Sequence, residues 1–439
     1  MDTLAQLRAG TLAGSRRLDL NCGLTEFPRE VFELADSLEV LNLSGNALSS
    51  LPDDLGRLKQ LRVLFCSDNR FTELPASIGQ CRQLDILGFK ANRIERVPAA
   101  ALPSSLRWLI LTDNAIEHLP ETLGDCIRLQ KLMLAGNRLQ ALPERLACCT
   151  RLELLRISAN RLSALPDWLL ALPRLAWLAY AGNPLGALQQ RGDLAPAIAS
   201  IPWDRLTLQA PLGEGASGII YRALWNPPSE APQAMAVKLF KGHMTSDGSP
   251  LDEMAACLVA GTHPQLIGVA GRIEDHPEGR AALLMRLIEP SFVTLAGPPS
   301  LDSCTRDCYP DAVRFSPATA LRLVSGIAAA AAHLHARSLV HGDLYAHNLL
   351  CNGEGEGLLG DFGAASFYPN AHQGQALQRI EVRAFGILLE EVLARCEGAE
   401  PAVVDQWRML QQRCTQTQVL ARPDFAAIGQ ALARIDAAR

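Results

Sequence analysis

Residues 41–52 read LNLSGNALSSLP. The same pattern returns as LFCSDNRFTELP at 64–75, LGFKANRIERVP at 87–98, LILTDNAIEHLP at 109–120, LMLAGNRLQALP at 132–143 and LRISANRLSALP at 155–166. LAYAGNPLGAL closes the run from Leu178, and a divergent first copy, LDLNCGLTEFP, opens it at Leu18. The asparagines Asn46, Asn69, Asn92, Asn114, Asn137, Asn160 and Asn183 are spaced by 23 residues, with a single step of 22. Such a period means stacked units, because one unit cannot bury its own apolar face and is stabilised only by its neighbours. Alternating leucines such as Leu41 and Leu43 predict a short strand whose inward side chains stack on the next unit. Each asparagine can turn inward and satisfy backbone groups at a bend that would otherwise be buried unpaired.

This pattern resembles the leucine-rich repeat family in its 23-residue form. The resemblance implies an α/β solenoid with a curved parallel sheet, expected over residues 1–187 as about eight repeats with an N-terminal cap. It also implies a functional concave surface between the structural leucines. Val40, Val63, Ile86, Trp108, Lys131, Leu154 and Trp177 form one row there, with Phe65, Ile110 and Met133 in the neighbouring row. Two tryptophans in such a row suggest a protein-binding face. The alternative is that the row packs against the protein's own second domain, and the sequence leaves both open.

At 439 residues the chain exceeds what one core organises, so more than one domain is expected. A net charge of −5 gives no reason to expect nucleic acid or an anionic membrane as partner. Twelve cysteines scattered through a long chain read as reduced thiols in a cytoplasmic compartment rather than a disulfide scaffold. Cys304 and Cys308 lack a second pair at zinc-ligand spacing. The N-terminus has no signal-peptide pattern, and no stretch reaches the roughly 20 apolar residues of a membrane span. The repeat signal fades after Leu185, and residues 188–203 read as a short linker before a second domain at 204–439.

That second half reads strand, glycine turn, strand, strand. LTLQAPLGEGASGIIYRAL contains Gly213, Gly215 and Gly218 followed by Ile220. Glycines let backbone close over phosphates where a β-carbon would collide. AMAVKLF then brings Ala236 and Lys238. Only five of the 41 basic residues are lysine, so an ammonium one strand after the glycine turn stands out. Lys241 reads as a surface charge. Glu253, with Asp252 as the other candidate, is placed to pair with Lys238 from the following helix. LLMRLIEP, which contains Met285, reads as a buried strand leading into a hinge. The stretch from Pro290 to Phe315 has no counterpart that can be placed, and Ile327–Ala332 reads as part of a buried helix.

Next comes His341-Gly342-Asp343-Leu344-Tyr345-Ala346-His347-Asn348, then Leu350, and eleven residues later Asp361-Phe362-Gly363. The ordered set resembles a eukaryotic-type protein kinase domain. The two halves together resemble the bacterial family of leucine-rich-repeat proteins with a kinase-like domain. The resemblance implies an α+β bilobal fold that binds ATP and Mg²⁺. Gly213, Gly215, Gly218, Ile220, Ala236, Lys238, Met285 and Leu350 would surround the nucleotide. Glu253 would orient Lys238, Asn348 and Asp361 would ligate the metal, and Asp343 would accept or orient the acceptor proton. His341 is expected to be a packed structural residue.

Three departures qualify the resemblance. Gly342 stands where regulated kinases carry arginine, so a phosphate on the activation loop would find no partner there, and activity independent of such phosphorylation is expected. Tyr345 stands where serine/threonine kinases carry a lysine, which lowers the expected rate. Only seventeen residues separate Gly363 from Glu381, and no Ala-Pro-Glu element is present. Ser366 and Tyr368 are the phosphorylatable residues of that segment, Glu381 replaces an aspartate, and Arg422 is expected to lack its usual partner. The leading expectation is a serine/threonine protein kinase whose repeats select or restrain. The alternatives are a nucleotide-binding pseudokinase scaffold and a kinase acting on a small-molecule acceptor.

Overall fold

The computed structural model of the chain describes residues 3–185, 199–228, 230–242, 244–245 and 247–437. It divides into two compact units, Met1–Leu172 and Pro173–Arg439.

The repeats begin with helix α1 (Thr3–Arg8) and run through strands β1 (Arg17–Asp19), β2 (Val40–Asn42), β3 (Val63–Phe65), β4 (Ile86–Gly88), β5 (Trp108–Ile110), β6 (Lys131–Met133), β7 (Leu154–Arg156) and β8 (Trp177–Ala179). These lie in sequence order in one parallel eight-stranded sheet, as the repeat period implies. Short 3₁₀ turns such as Ala76–Gln80 and Glu121–Asp125, and the helix α2 (Asp167–Leu170), return the chain between strands. Each of these three starts immediately after a proline, whose fixed φ suits a helix start. Register aligns Leu41, Leu64, Leu87, Leu109, Leu132 and Leu155, all fully buried.

The asparagines do the bonding expected of them. Asn137 Nδ2 donates to the carbonyls of Leu111 and Leu134, both at 2.9 Å, while its Oδ1 accepts the Ile116 N–H at 3.1 Å. One amide therefore joins its own turn to the preceding repeat. Asn69 and Asn160 repeat the arrangement.

Strand alternation sends the row Val40, Val63, Ile86, Trp108, Lys131 and Leu154 to the face opposite the leucines. Val40, Phe65 and Trp108 are half-buried, and Val63, Ile86 and Leu154 are buried. Lys131 Nζ lies 4.2 Å from the Trp108 ring centroid, and the Trp108 indole N–H points to Met133 sulfur at 3.3 Å.

In the second unit, β9 (Ala199–Pro202), β10 (Leu206–Glu214), β11 (Gly218–Trp225), β12 (Gln233–Phe240), β13 (Val269–Glu274) and β14 (Ala282–Arg286) form a sheet in the order β10-β11-β12-β14-β13-β9. Ala223, Val237, Ile273 and Leu284 form its core, joined by Ile201 from β9. Strand β9 is the last part of the stretch read as a linker, and residues 188–198 lie outside the described residues. Helix α3 (Pro250–Ala260), with Ser249 accepting the Leu251 N–H as its cap, connects β12 to β13.

The remainder is mostly helical. Between β15 (Val293–Thr294) and β16 (Leu339–Val340) runs helix α4 (Pro317–His335), which contains the alanine run and packs against the later helices α5 (Ala371–Leu393) and α7 (Phe425–Ala437). Its buried Ala328, Ala330 and Ala331 carry no bulk to hold those neighbours away. Strands β17 (Leu349–Cys351), β18 (Gly357–Leu359) and β19 (Ser366–Phe367), with helix α6 (Pro401–Cys414), complete the unit. Among the described residues no helix is long and apolar enough to cross a membrane.

Candidate active site

A cleft of about 180 Å³ lies under the β10–β11 turn. Its lining includes Gly215, Gly218, Ile220, Lys238, Glu253, Met285 and Asp361, drawn from five separate stretches of sequence. Antiparallel pairing accounts for much of this convergence: Ile220 sits opposite Lys238 on β11 and β12, and Ala236 opposite Met285 on β12 and β14. Gly213, Ala236, Leu350, Asp343 and Asn348 are not among the lining residues. Leu350 lies on β17, opposite Thr294 and Leu358.

The Lys238 ammonium is bonded to Glu253 Oε1, and Glu253 is only 1% exposed. Of the two acidic candidates it is therefore Glu253, not Asp252, that reaches the lysine. Burial alone would lower Lys238, but the charges of Glu253 and Asp361 outweigh it and hold the ammonium above its ordinary value. Glu253 is itself raised, first by burial and then by Asp361, with Lys238 opposing.

Asp361 adopts φ +54°, a left-handed conformation that aspartate tolerates better than most non-glycine residues. Its Oδ1 accepts the Gly363 N–H at 3.2 Å. Phe362 is buried, 5.1 Å from the His341 ring, centroid to centroid. His341 is fully buried, with Nε2 at 2.8 Å from the Gly360 carbonyl and Nδ1 accepting the Asp343 N–H at 3.3 Å. That is a structural histidine. Asn348 Nδ2 donates to the Asp343 carbonyl at 2.9 Å and to its Oδ2 at 2.8 Å. The five-residue spacing thus closes a tight loop that sets both side chains.

Several contributors were not legible in the sequence. Lys241, read as a surface charge, bonds Glu214 Oε1 at 2.5 Å and the Gly215 carbonyl at 3.1 Å, bracing the glycine turn. Thr245 and Asp247 line the cleft from the connection between β12 and α3. Asp307, from the stretch without a counterpart, accepts the His347 N–H at 3.0 Å and meets His347 Nδ1 at 2.7 Å. Burial would lower His347, but Asp307, with the charges of Asp343 and Asp361, raises it above its ordinary value. Glu381 accepts the Gly342 N–H at 2.7 Å and lies 2.7 Å from His335 Nε2. Arg422, expected to lack its usual partner, donates to the carbonyls of Gln416, Arg379 and Pro173 at 2.8, 3.0 and 2.8 Å. Burial pushes its guanidinium down to about 9. Trp177 sits within the second unit, stacked on Tyr345.

The donor set fits a magnesium nucleotide. A Cβ on Gly213 or Gly215 would meet nothing within 4 Å, so the protein's own packing does not demand these glycines. Approach of a ligand to the backbone remains as their physical use. Gly218 differs, because a Cβ there would lie 2.6 Å from the Leu239 carbonyl and hold β11 off β12. Among the described residues no group of three or more His, Cys, Asp or Glu is arranged for a metal. Asp361 and Asn348 suit an ion that takes its other oxygens from phosphate and water, as Mg²⁺ does. A larger cavity of about 650 Å³, lined by residues such as Tyr180, Asp252 and Arg272, shares no lining residue with this cleft.

A family described as protein tyrosine and serine/threonine kinase matches residues 206–386, and one described as leucine rich repeat matches residues 16–71. Leucine-rich repeats and a protein kinase domain are present. The probable serine/threonine-protein kinase gdt4 of Dictyostelium discoideum is 26% identical over 162 residues, which is 35% of this chain and 8% of that protein. Serine/threonine-protein kinase PITSLRE of Drosophila melanogaster is 26% identical over 157 residues, 35% of this chain and 15% of that protein. Both similar proteins are eukaryotic, and the chain spans well under a fifth of either. The kinase domain is thus weakly similar to the two serine/threonine kinases.

Proposed function

We propose that the chain is an ATP-dependent phosphotransferase acting on serine or threonine of protein substrates. The observation that carries this reading is the bonded Lys238–Glu253 pair beside Asp361, with Asp343 tied to Asn348 in the neighbouring loop. A protein that only bound a partner would have no use for that combination. Lys238 would hold the α and β phosphates, and Gly213, Gly215, Gly218, Ile220, Ala236, Met285 and Leu350 would enclose the nucleotide. Asn348 and Asp361 would hold Mg²⁺. Bound there, Mg-ATP supplies the transferable γ-phosphoryl group and neutralises the charge that develops on it. The protein's part is placement: Asp343, fixed by Asn348, orients the acceptor hydroxyl and takes its proton, while Lys238 offsets phosphate charge.

The repeats are proposed as a protein-binding or autoregulatory module, using the concave row Val40, Val63, Phe65, Ile86, Trp108 and Leu154. The expected boundaries at 187 and 204, a cytoplasmic location and a bacterial setting belong to the same proposal. The reading is tested by incubating the full chain with labelled Mg-ATP and either generic protein acceptors or a panel of small hydroxyl and amine acceptors. Label in protein supports it, and label only in small molecules refutes it.

A further inference from the structure

The segment 173–185 carries the last repeat motif, yet it belongs to the second compact unit and meets the catalytic elements at several points. The Trp177 indole stacks on the Tyr345 ring, with centroids 4.0 Å apart and planes 7° from parallel. Its Nε1–H donates to the Leu344 carbonyl at 3.1 Å. The ring is 1% exposed and Tyr345 4% exposed. One residue on, the Leu178 carbonyl lies 2.8 Å from where a Gly342 Cβ would stand. The Ser366 hydroxyl accepts the N–H groups of Tyr180 and Ala181, both at 3.1 Å, and donates to the Ala364 carbonyl at 3.2 Å, which uses its full bonding capacity. At its start the segment gives the Pro173 carbonyl to buried Arg422.

We propose that Trp177 is a positioning residue for phosphate transfer, which fixes the Asp343 loop by clamping Leu344 and Tyr345 while its neighbours Tyr180 and Ala181 fix the segment after Gly363. The proposal rests on the phosphotransfer reading above. Two observations favour positioning over occlusion. Lys238–Glu253 and Asp343–Asn348 are both made while Trp177 is docked. Ser366 and Tyr368, which offered themselves as modification sites, are buried at 0% and 6% exposure. The loop is thus held by covalently continuous chain rather than by a phosphate that comes and goes. Tyr345, an odd residue for this loop by sequence, is explained as the flat partner of the indole.

The test compares wild type, Trp177→Ala and Trp177→Phe in the full chain, reading kcat, KM for Mg-ATP, and hydrogen exchange over residues 341–348. Trp177→Ala is expected to lower kcat about 10- to 100-fold, the size of a catalytic group's slight misplacement, with KM for Mg-ATP within about twofold. Exchange should accelerate over 341–348, and Trp177→Phe, which keeps a flat ring, should recover most of kcat. An unchanged or raised kcat in Trp177→Ala overturns the proposal, the latter because it means the ring occludes. Should Trp177→Ala not fold, Tyr345→Leu removes the same stack and the same outcomes apply. If wild type transfers no phosphate, the phosphotransfer reading falls by itself. Exchange then decides: acceleration over 341–348 in Trp177→Ala supports the clamp, and unchanged exchange overturns it.

Discussion

The Glu381 carboxylate accepts the backbone N–H of Gly342 through one oxygen while the other meets His335 Nε2, each at 2.7 Å, in a site 2% exposed. A helix side chain 39 residues away thereby fixes the peptide plane ahead of Asp343. Burial alone would raise this acid, but the bond and charge of His335 and the Gly342 N–H bring it below its ordinary 4.5. A depressed carboxylate contributes stability that is present above 4.5 and lost as pH falls through the lower folded-state value. Glu381→Gln should therefore cost about 2 kcal/mol at neutral pH, with the gap to wild type closing below pH 4.5. Urea unfolding across pH measures it, and a constant gap would refute the assignment.

Gly342 occupies the arginine position of regulated kinases and cannot be returned to it. Its φ is +73°, and a Cβ would stand 2.5 Å from the Ala364 carbonyl and 2.8 Å from that of Leu178. Left-handed strain and overlap together should make Gly342→Ala about 3 kcal/mol less stable, and Gly342→Arg worse. Thermal unfolding checks this, and a wild-type midpoint for Gly342→Arg would contradict it.

Lys238→Met removes the ammonium while keeping much of the side chain's length. Transfer should fall about 10²–10³-fold, as for loss of one well-placed electrostatic group. Chelation of Mg²⁺ should abolish transfer in the wild type, and readdition should restore it. Transfer that survives chelation would refute the roles given to Asn348 and Asp361.

Much of this was legible from the chain because the signals were local or periodic. A 23-residue period names a parallel solenoid, and a glycine turn, lysine, Asp–Asn loop and Asp-Phe-Gly are short motifs in fixed order. What escaped depends on residues distant in sequence. Asp307 reaches His347 across 40 residues, and Trp177 reaches Leu344 across 167. No spacing rule announces such pairs. Lys241 is a surface charge, as its position suggested, but nothing local announces the glycine turn that it reaches.

Glu391 offers a pH effect of opposite sign. Burial, helped by the charge of Asp307 and opposed by the Tyr309 hydroxyl, Arg306 and Arg395, pushes its carboxyl up to about 7. The Tyr309 hydroxyl donates to it at 3.1 Å. Because the folded-state value exceeds the ordinary 4.5, this group's contribution is present below 4.5 and lost as pH rises towards 7. Glu391→Gln keeps an acceptor for Tyr309 and should gain on wild type across that interval, by up to about 3 kcal/mol. Unfolding free energies at about pH 5 and pH 8 check the sign.

The account stands or falls on Asp343. Label transfer from Mg-ATP to protein should be measured for wild type and Asp343→Asn alongside nucleotide affinity for each. The account predicts incorporation by wild type that is lost in Asp343→Asn while Mg-ATP still binds, since the nucleotide is held by other residues. Equal transfer by both proteins, or tight Mg-ATP binding by wild type with no transfer to any protein, would contradict it.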